Sequence, residues 1–286
     1  MVCQQLQQAL VELAAIPNGH VGICAETIDR RHLIEINADE VFPAASSIKM
    51  YVLFTLLKKA DAGELSLDER IEFTPTAAKP GSGVLFHLDH GLRLTLKDLA
   101  TLMMMISDNS ALMMLTDYLG VEMINAEIDR LGLEHTRFGD WSRFEVTYAD
   151  SMRFGQSTPR EFVQFLLHMR GGDLLSPKLQ DVFWDTLRIQ KYIEPLRKFL
   201  PASPWSREFG LAELIWVASK SGALDDCVTE SGFVSVADGG WAVSVMSRDL
   251  PNIDSDPDKA AEGLISSISL RIFEAWAPLY EGEQAT

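Results

Sequence analysis

The stretch F-P-A-A-S-S-I-K-M at residues 42–50 determines how the rest of the chain is interpreted. It places a lysine, Lys49, three positions after a serine, Ser46, and a nearly continuous apolar run follows up to Gly63. Such a run predicts a buried helix that ends at the glycine. If this helix begins near Ser46, the two side chains lie one turn apart on the same face.

This pair of residues is suited to acyl transfer. A helix N-terminus offers free backbone N–H groups and the positive end of the helix dipole, and both favour a negative charge developing beside Ser46. A serine with an amine in reach and an anion-stabilising backbone is the minimum set for that chemistry. The spacing alone is unspecific, because about one such pair is expected by chance in a chain of this length. A serine that only caps the helix is the alternative.

The composition restricts the classes of partner. With 286 residues the chain is long enough for one large domain or two smaller ones, and 47% apolar and 23% charged residues are typical of a soluble globular protein. The net charge of −16 argues against nucleic acid and against an anionic membrane surface, since both would repel the chain. The charge does not identify a substrate, and the oligomeric state stays open.

The cysteines and the first residues favour a reducing compartment. Cys3, Cys24 and Cys227 are odd in number and have no metal-type spacing, so no metal site and no organic cofactor are expected. Residues 1–29 contain no Lys or Arg, which a secretory signal would need. We expect a cytoplasmic protein, with a periplasmic or secreted location only if a leader has been removed.

The order of the periodic segments predicts an α+β fold. Helical spacing occupies residues 3–15, strand patterns follow at 21–28 and 32–36, and helical signals then dominate to about residue 190. Three strands at 215–222, 232–236 and 241–246, with Asp238-Gly239 at the centre of the last turn, precede a closing helix at 257–280. We predict that residues 1–45 and 190–286 form an antiparallel sheet flanked by terminal helices, beside an all-helical subdomain at 46–189, together one domain.

Capping residues and a glycine predict the helix boundaries within the helical part. Thr95 and Asp98 form a capping-type start for an apolar helix, and Thr158 before Pro159 with Glu161 is a second one. Gly120 divides two further helical patterns.

Three short motifs fall at special points of this arrangement. Ser46-x-x-Lys49 lies at the first crossing between sheet and helices, S-D-N at residues 107–109 ends a buried helix, and K-S-G at 220–222 lies on a strand. Their order and settings resemble the S-x-x-K, S-D-N and K-[TS]-G set of class A β-lactamases and penicillin-binding proteins. The resemblance covers nearly the whole chain and implies a two-subdomain β-lactamase-like fold and a serine hydrolase acting on a lactam, amide or ester.

The resemblance assigns a role to each matching residue. Ser46 would be the acylated nucleophile, Lys49 its base and Ser107 the relay that passes the proton to the departing amine. Lys220 would hold Ser107 and a substrate carboxylate electrostatically, and the hydroxyl of Ser221 would assist. In the same way, Asn109 would bind the acylamino side chain of the substrate, and Asp108 would be structural. The N–H groups of Ser46 and of Ala223, directly after Gly222, would form the oxyanion hole.

One departure from the family pattern affects the hydrolytic step. Class A enzymes carry a glutamate in an E-x-x-L-N segment ahead of a T-T-x-P helix start, and this glutamate activates the deacylating water. Here S-T-P stands at 157–159, Ser142 takes the place of the glutamate, and Glu145 is the nearest carboxylate. Glu145 is either catalytic or a solvent-facing loop residue. Without a replacement base, acylation should outrun hydrolysis.

Three functions are consistent with these residues. The first is a hydrolase that turns over through a Ser46 acyl-enzyme. The second is a penicillin-binding, peptidase-like or transacylating protein whose acyl-enzyme is long-lived. The third, in a different class, is a non-catalytic module that uses the cleft to bind a ligand.

Overall fold

The computed structural model describes residues 2–16, 19–141, 150–191, 194–203, 205–206, 208–250 and 257–281. Its helices are α1 (Val2–Ala14), α2 (Lys49–Asp61), α3 (Leu96–Met105), α4 (Asn109–Leu119), α5 (Val121–Arg130), α6 (Pro159–Gly171), α7 (Pro177–Arg188), α8 (Pro257–Trp276) and α9 (Pro278–Glu281). Its strands are β1 (His20–Thr27), β2 (Leu33–Ile36), β3 (Phe42–Pro43), β4 (Arg70–Glu72), β5 (Arg93–Thr95), β6 (Arg137–Phe138), β7 (Gly155–Ser157), β8 (Ile215–Leu224), β9 (Cys227–Val236) and β10 (Gly239–Arg248).

The main sheet joins the two ends of the chain. Its five strands lie in the order β2-β1-β10-β9-β8, with every neighbouring pair antiparallel. β1 pairs with β10 along its whole length, so that Ile23 stands opposite Val245. The prediction of an antiparallel sheet from both ends of the chain is therefore confirmed, and β8 is left as an edge strand.

Both faces of this sheet are buried, in two separate apolar clusters. Because successive strand residues point to opposite faces, Val234 packs under the terminal helices while its neighbour Phe233 packs toward the helical part of the chain. On the first face, α1 lies against α8, which contributes Ile268 and Ile272. The closing helix is interrupted near Ala277, directly before Pro278, because proline cannot donate the next helical hydrogen bond.

The helical part surrounds α2, whose residues from Lys49 to Leu57 are all buried. Its core contains a cluster of rings in which the Tyr51 ring lies 4.7 Å from that of Phe165. Two small sheets, β4-β5 and β3-β7-β6, accompany these helices and were not predicted. Strands of two or three residues are too short to show a period in the sequence. None of the helices in the described ranges is long and apolar enough to cross a bilayer.

The predicted caps of the helices are present. The Thr95 hydroxyl accepts a hydrogen bond from the Asp98 N–H while the Asp98 carboxylate accepts one from the Thr95 N–H, which is a complete capping box. Thr158 caps α6 through the N–H of Glu161. Gly120, with a φ of 86°, separates α4 from α5.

The turn between β9 and β10 differs from the prediction by one position. Gly239 already pairs with Val236, so the two turn residues are Ala237 and Asp238 rather than Asp238 and Gly239. Ala237 takes the positive φ of 48° that such a turn requires.

Helix α2 also begins later than predicted. Residues Ala45–Ile48 form a 3₁₀ turn, entered through a positive φ of 41° at Ala45, and the α-helix starts only at Lys49. No side chain caps either element. Ser46 is therefore not a helix-capping serine, and that alternative is wrong.

Asp108 connects α4 to the loop in front of the second motif, as its expected structural role implies. It is fully buried, and its Oδ1 accepts a hydrogen bond from the Ala111 N–H at 2.9 Å. Its Oδ2 accepts hydrogen bonds from the N–H groups of Val84 and Leu85 at 2.7 and 2.9 Å. One carboxylate thus satisfies three backbone donors.

We expect Asp108→Ala to lower the free energy of unfolding by at least about 3 kcal/mol, because a helix cap and two partly or fully buried N–H bonds are lost together. Asp98→Ala, which removes half of an exposed capping box, should cost only about 0.5–1 kcal/mol. Urea denaturation of both variants checks this. Equal losses in the two variants would contradict the structural role assigned to Asp108.

Candidate active site

The nucleophile candidate lies where the helical part meets the sheet. Ser46 is half-buried in the 3₁₀ turn, and the hydroxyl of its neighbour Ser47 donates a 2.8 Å hydrogen bond to the backbone carbonyl of Lys220 on β8. A Cβ added to Gly222 would lie 2.4 Å from the backbone nitrogen of Ser46 and 3.0 Å from that of Ser47. Position 222 thus requires a glycine, because the backbone of the first motif approaches it too closely for a side chain.

Lys49 joins the first motif to the second. Its side chain is fully buried, and its Nζ donates hydrogen bonds to the carbonyl and hydroxyl oxygens of Ser107 at 2.6 and 3.0 Å. A third hydrogen bond goes to Asn109 Oδ1 at 2.8 Å. The face of the Trp141 ring, 5.3 Å away, covers the amine. Within the described residues, Lys49 makes no hydrogen bond to Ser46.

The surroundings of Lys49 favour its neutral form. Burial lowers the pKa of the Lys49 amine well below its ordinary value, and the positive charge of Lys220 lowers it further. The Asp108 carboxylate acts in the opposite direction and is the weakest of the three influences. A lysine that loses its proton this easily can act as a base near neutral pH.

The loop in front of the second motif is hydrogen-bonded to it. Ser107 has a φ of 58°, an unfavourable value for a serine. The Ser82 hydroxyl donates a hydrogen bond to the Ser107 carbonyl at 2.7 Å, and the Asn109 Nδ2 donates one to the Pro80 carbonyl at 3.0 Å. Because Asn109 Oδ1 already accepts from Lys49, both ends of its carboxamide are bonded within the protein.

The third motif supplies a second buried cation. Lys220 is fully buried, and its Nζ donates to the Ser221 carbonyl at 2.7 Å and to Gln190 Oε1 at 3.3 Å. No hydrogen bond joins it to Ser107 in the described part of the chain. Burial lowers the pKa of Lys220 to about 7, and the charge of Glu230 opposes this effect. Gln190 and Glu230 were missed by the sequence analysis, since neither belongs to a motif.

The open edge of β8 presents backbone donors to Ser46. The Ser221 N–H points outward, where it donates to Gln190 Oε1 at 2.9 Å. Backbone groups two residues apart on a strand face the same edge, so the N–H of Ala223 also points outward, next to Gly222 and Ser46. That the N–H groups of Ser46 and Ala223 form an oxyanion hole stays a prediction.

The base for deacylation is not found among the described carboxylates. Ser142 and Glu145 lie outside the described residues, which break off after Trp141 and resume at Asp150. Asp108, the described carboxylate that acts on Lys49, is fully engaged by backbone N–H groups. Where the structure describes the chain, no group of three His, Cys, Asp or Glu residues is placed to hold a metal ion.

Residues 4–276 match the profile of the beta-lactamase enzyme family. The chain belongs to this family. The beta-lactamase of Bacteroides uniformis is 28% identical over 197 residues, which is 64% of each chain. Beta-lactamase VEB-1 of Pseudomonas aeruginosa is 24% identical over 184 residues, 60% of this chain and 59% of that one. The match thus spans less than two thirds of the length of these curated relatives.

Solved structures of the family have the same fold. The beta-lactamase of Sphaerobacter thermophilus superposes with a TM-score of 0.81 at 27% identity, covering 96% of this chain and 98% of that one. PBP-A gives the same TM-score at 26% identity and 96% coverage of both chains. The TLA-1 extended-spectrum beta-lactamase, at 18% identity and a TM-score of 0.83 over 97% of this chain and 100% of that one, shows the fold alone. The family and the α+β fold predicted from the motifs are confirmed.

We expect Gly222→Ala to lower the free energy of unfolding by about 1–3 kcal/mol, because the new methyl group would overlap the backbone of Ser46. The matched control is Gly263→Ala, in α8, where an added Cβ meets nothing within 4 Å. That change should instead stabilise the helix by about 0.5–1 kcal/mol. Thermal or urea unfolding measures both, and a neutral Gly222→Ala would contradict the close approach.

Proposed function

We propose that this chain is a serine hydrolase in which Ser46 attacks the carbonyl carbon of a lactam, linear amide or ester and becomes acylated. The observation that carries the proposal is the buried amine of Lys49, three residues from Ser46 and hydrogen-bonded to Ser107. An uncharged amine in this position is the base that a serine nucleophile lacks on its own.

The proposed acylation uses three groups of the protein in turn. Neutral Lys49 takes the proton of the Ser46 hydroxyl while the serine oxygen bonds to the carbonyl carbon. The carbonyl oxygen becomes an oxyanion and accepts hydrogen bonds from the N–H groups of Ser46 and Ala223. The proton then passes through Ser107, whose Oγ lies 3.0 Å from Lys49 Nζ, to the leaving nitrogen as the C–N bond breaks.

Substrate recognition is assigned to the second and third motifs. We propose that Lys220 and Ser221 bind an anionic group of a small-molecule or peptide-like substrate, since a buried cation beside a hydroxyl suits a carboxylate. Asn109 would bind an acylamino group. Its carboxamide is bonded to Lys49 and Pro80 before substrate arrives, so this contact requires one internal hydrogen bond to be shared or exchanged.

We further propose that deacylation is slow, so that the acyl-enzyme accumulates. Ser142 stands where the family has its water-activating glutamate, and the Asp108 carboxylate near Lys49 is fully engaged. A penicillin-binding or transacylating protein is the second candidate, in which an amine takes the acyl group. It is favoured by the likeness to PBP-A, a variant of which has been solved as an acyl-enzyme complex with penicillin G.

Intact-protein mass spectrometry after mixing with a penicillin should show a lasting adduct on the Ser46 peptide, while a chromogenic cephalosporin gives little colour. Ser46→Ala should show no adduct, since the nucleophile is gone. An adduct that persists in Ser46→Ala would contradict the mechanism. Rapid colour without an adduct would contradict slow deacylation, and loss of that colour in Glu145→Gln would then assign the base to Glu145.

The pH dependence of acylation should report the protonation of Lys49. Because only its neutral form accepts a proton, the rate should rise with pH through a midpoint well below the ordinary lysine pKa and then level off. Lys49→Arg puts a permanently charged group in place of the neutral amine, and this group cannot act as a base, so acylation should fall by about 10²–10⁴-fold. Stopped-flow measurement of adduct formation checks both. A rate that keeps rising to the ordinary lysine pKa would rule Lys49 out as the base.

A further inference from the structure

Gln190, directly after α7, has a fully buried side chain that lies along the open edge of β8. Its Oε1 accepts hydrogen bonds from the Ser221 N–H at 2.9 Å and from the Ser221 hydroxyl at 3.3 Å. It also accepts one from Lys220 Nζ at 3.3 Å. The donors that the proposed function assigns to the anionic group of the substrate therefore already converge on one oxygen of the protein.

The orientation of this carboxamide is fixed from its other end. Gln190 Nε2 donates to Glu230 Oε1 at 3.1 Å and to the Ser219 hydroxyl at 3.3 Å. The Ser219 hydroxyl in turn donates to Glu230 Oε1 at 2.6 Å. Because the Ser221 N–H can only donate a hydrogen bond, the carboxamide oxygen must face β8 and the NH₂ group must face Glu230.

Glu230 and the backbone around Gln190 are themselves anchored. Glu230 is fully buried on β9, opposite Ser221, and its Oε2 accepts a 2.7 Å hydrogen bond from the Leu196 N–H. The Lys191 N–H donates a 2.8 Å hydrogen bond to the Met105 carbonyl at the end of α3. Gln190 thus bridges β8 and the segment leading to Ser107, on the two sides of the site.

Lys220 interacts with charged groups on both sides. Glu230 raises the pKa of Lys220 against the effect of burial, while Lys220 lowers the pKa of the other buried lysine, Lys49. On the far side Glu230 faces Arg197, which pairs with Glu194 at 3.4 Å. No ion pair joins Lys220 to Glu230 among the described residues, so the Gln190 carboxamide is the group that connects the two charges.

We propose that Gln190 is a positioning residue: its carboxamide, oriented by Glu230, holds Lys220 as a cation on the edge of β8 and so gives the site its preference for substrates with an anionic group. One ammonium proton of Lys220 is bonded to Gln190 and one to the Ser221 carbonyl. The third is left for the substrate. The role in substrate preference rests on the proposed function, whereas the role in holding Lys220 does not.

The first test needs no substrate. In unliganded protein labelled with ¹³C at the lysine side chains, the Lys220 signal is assigned by its loss in Lys220→Arg and titrated by NMR. Gln190→Met preserves side-chain length and removes both polar ends, so the titration midpoint should move down by at least about one pH unit. Gln180→Met, on α7 and bonded to the Met169 carbonyl, is the matched control and should leave the midpoint in place. An unchanged midpoint in folded Gln190→Met overturns the proposal.

The second test uses a carboxylate-bearing lactam and its neutral methyl ester. Gln190→Met should lower the preference for the carboxylate form by about tenfold, through weaker binding rather than a slower acylation step. A purely structural role would slow both lactams equally, and an unchanged ratio would overturn the role in preference. A wild-type protein that is acylated by neither lactam would instead overturn the proposed function, while the titration still decides how Lys220 is held.

A conservative variant separates positioning from packing. In Gln190→Glu the introduced carboxyl reproduces both hydrogen bonds of the amide only when it is protonated. The preference for the carboxylate lactam should therefore be weak at high pH and recover as the pH falls through the pKa of that carboxyl. Gln190→Met should recover only as the pH falls through the lowered Lys220 midpoint found in the first test. Recovery of both variants at that same pH, or no recovery of Gln190→Glu, would contradict the orienting hydrogen bond to Glu230.

Discussion

The rest of the site depends on one constraint, the burial of the Lys49 amine, which no carboxylate in the described ranges contacts directly. An amine in this position needs oxygen acceptors, and the three that it finds come from Ser107 and Asn109 at the junction of α3 and α4. The positive φ of Ser107 and the three backbone hydrogen bonds to Asp108 maintain that junction. The strained backbone of the second motif thus positions the oxygen acceptors that the buried amine needs.

The two buried lysines of the site differ in the charged and polar groups around them. Burial and the positive charge of Lys220 favour loss of the proton from Lys49. Lys220 has Glu230 beyond the Gln190 carboxamide, so its charge is partly compensated. In the proposed function, side chains of the same type are thereby separated into a base and a cation. Exchanging their surroundings, rather than the lysines, would exchange their roles.

The sequence predicted what local patterns encode. Alternation identified the strands of the main sheet, capping residues placed α3 and α6, and the three motifs located the site. The 3₁₀ start of α2 was not predicted, because the apolar run after Lys49 is the same for either kind of turn. Gln190 and Glu230 were missed for a different reason. They are 40 residues apart and meet only because the chain after α7 crosses the edge of β8.

The pairing of β1 with β10 also determines when the molecule can fold. Residues 20–27 find their main partner at residues 241–248, more than two hundred positions further along the chain. At ordinary rates of synthesis, roughly 5–20 residues per second, the first hairpin waits for tens of seconds with its inner edge unpaired. An unpaired strand edge can form hydrogen bonds with strands of other chains. The arrangement that places the nucleophile between sheet and helices therefore makes the newborn chain dependent on protection until its last strands emerge from the ribosome.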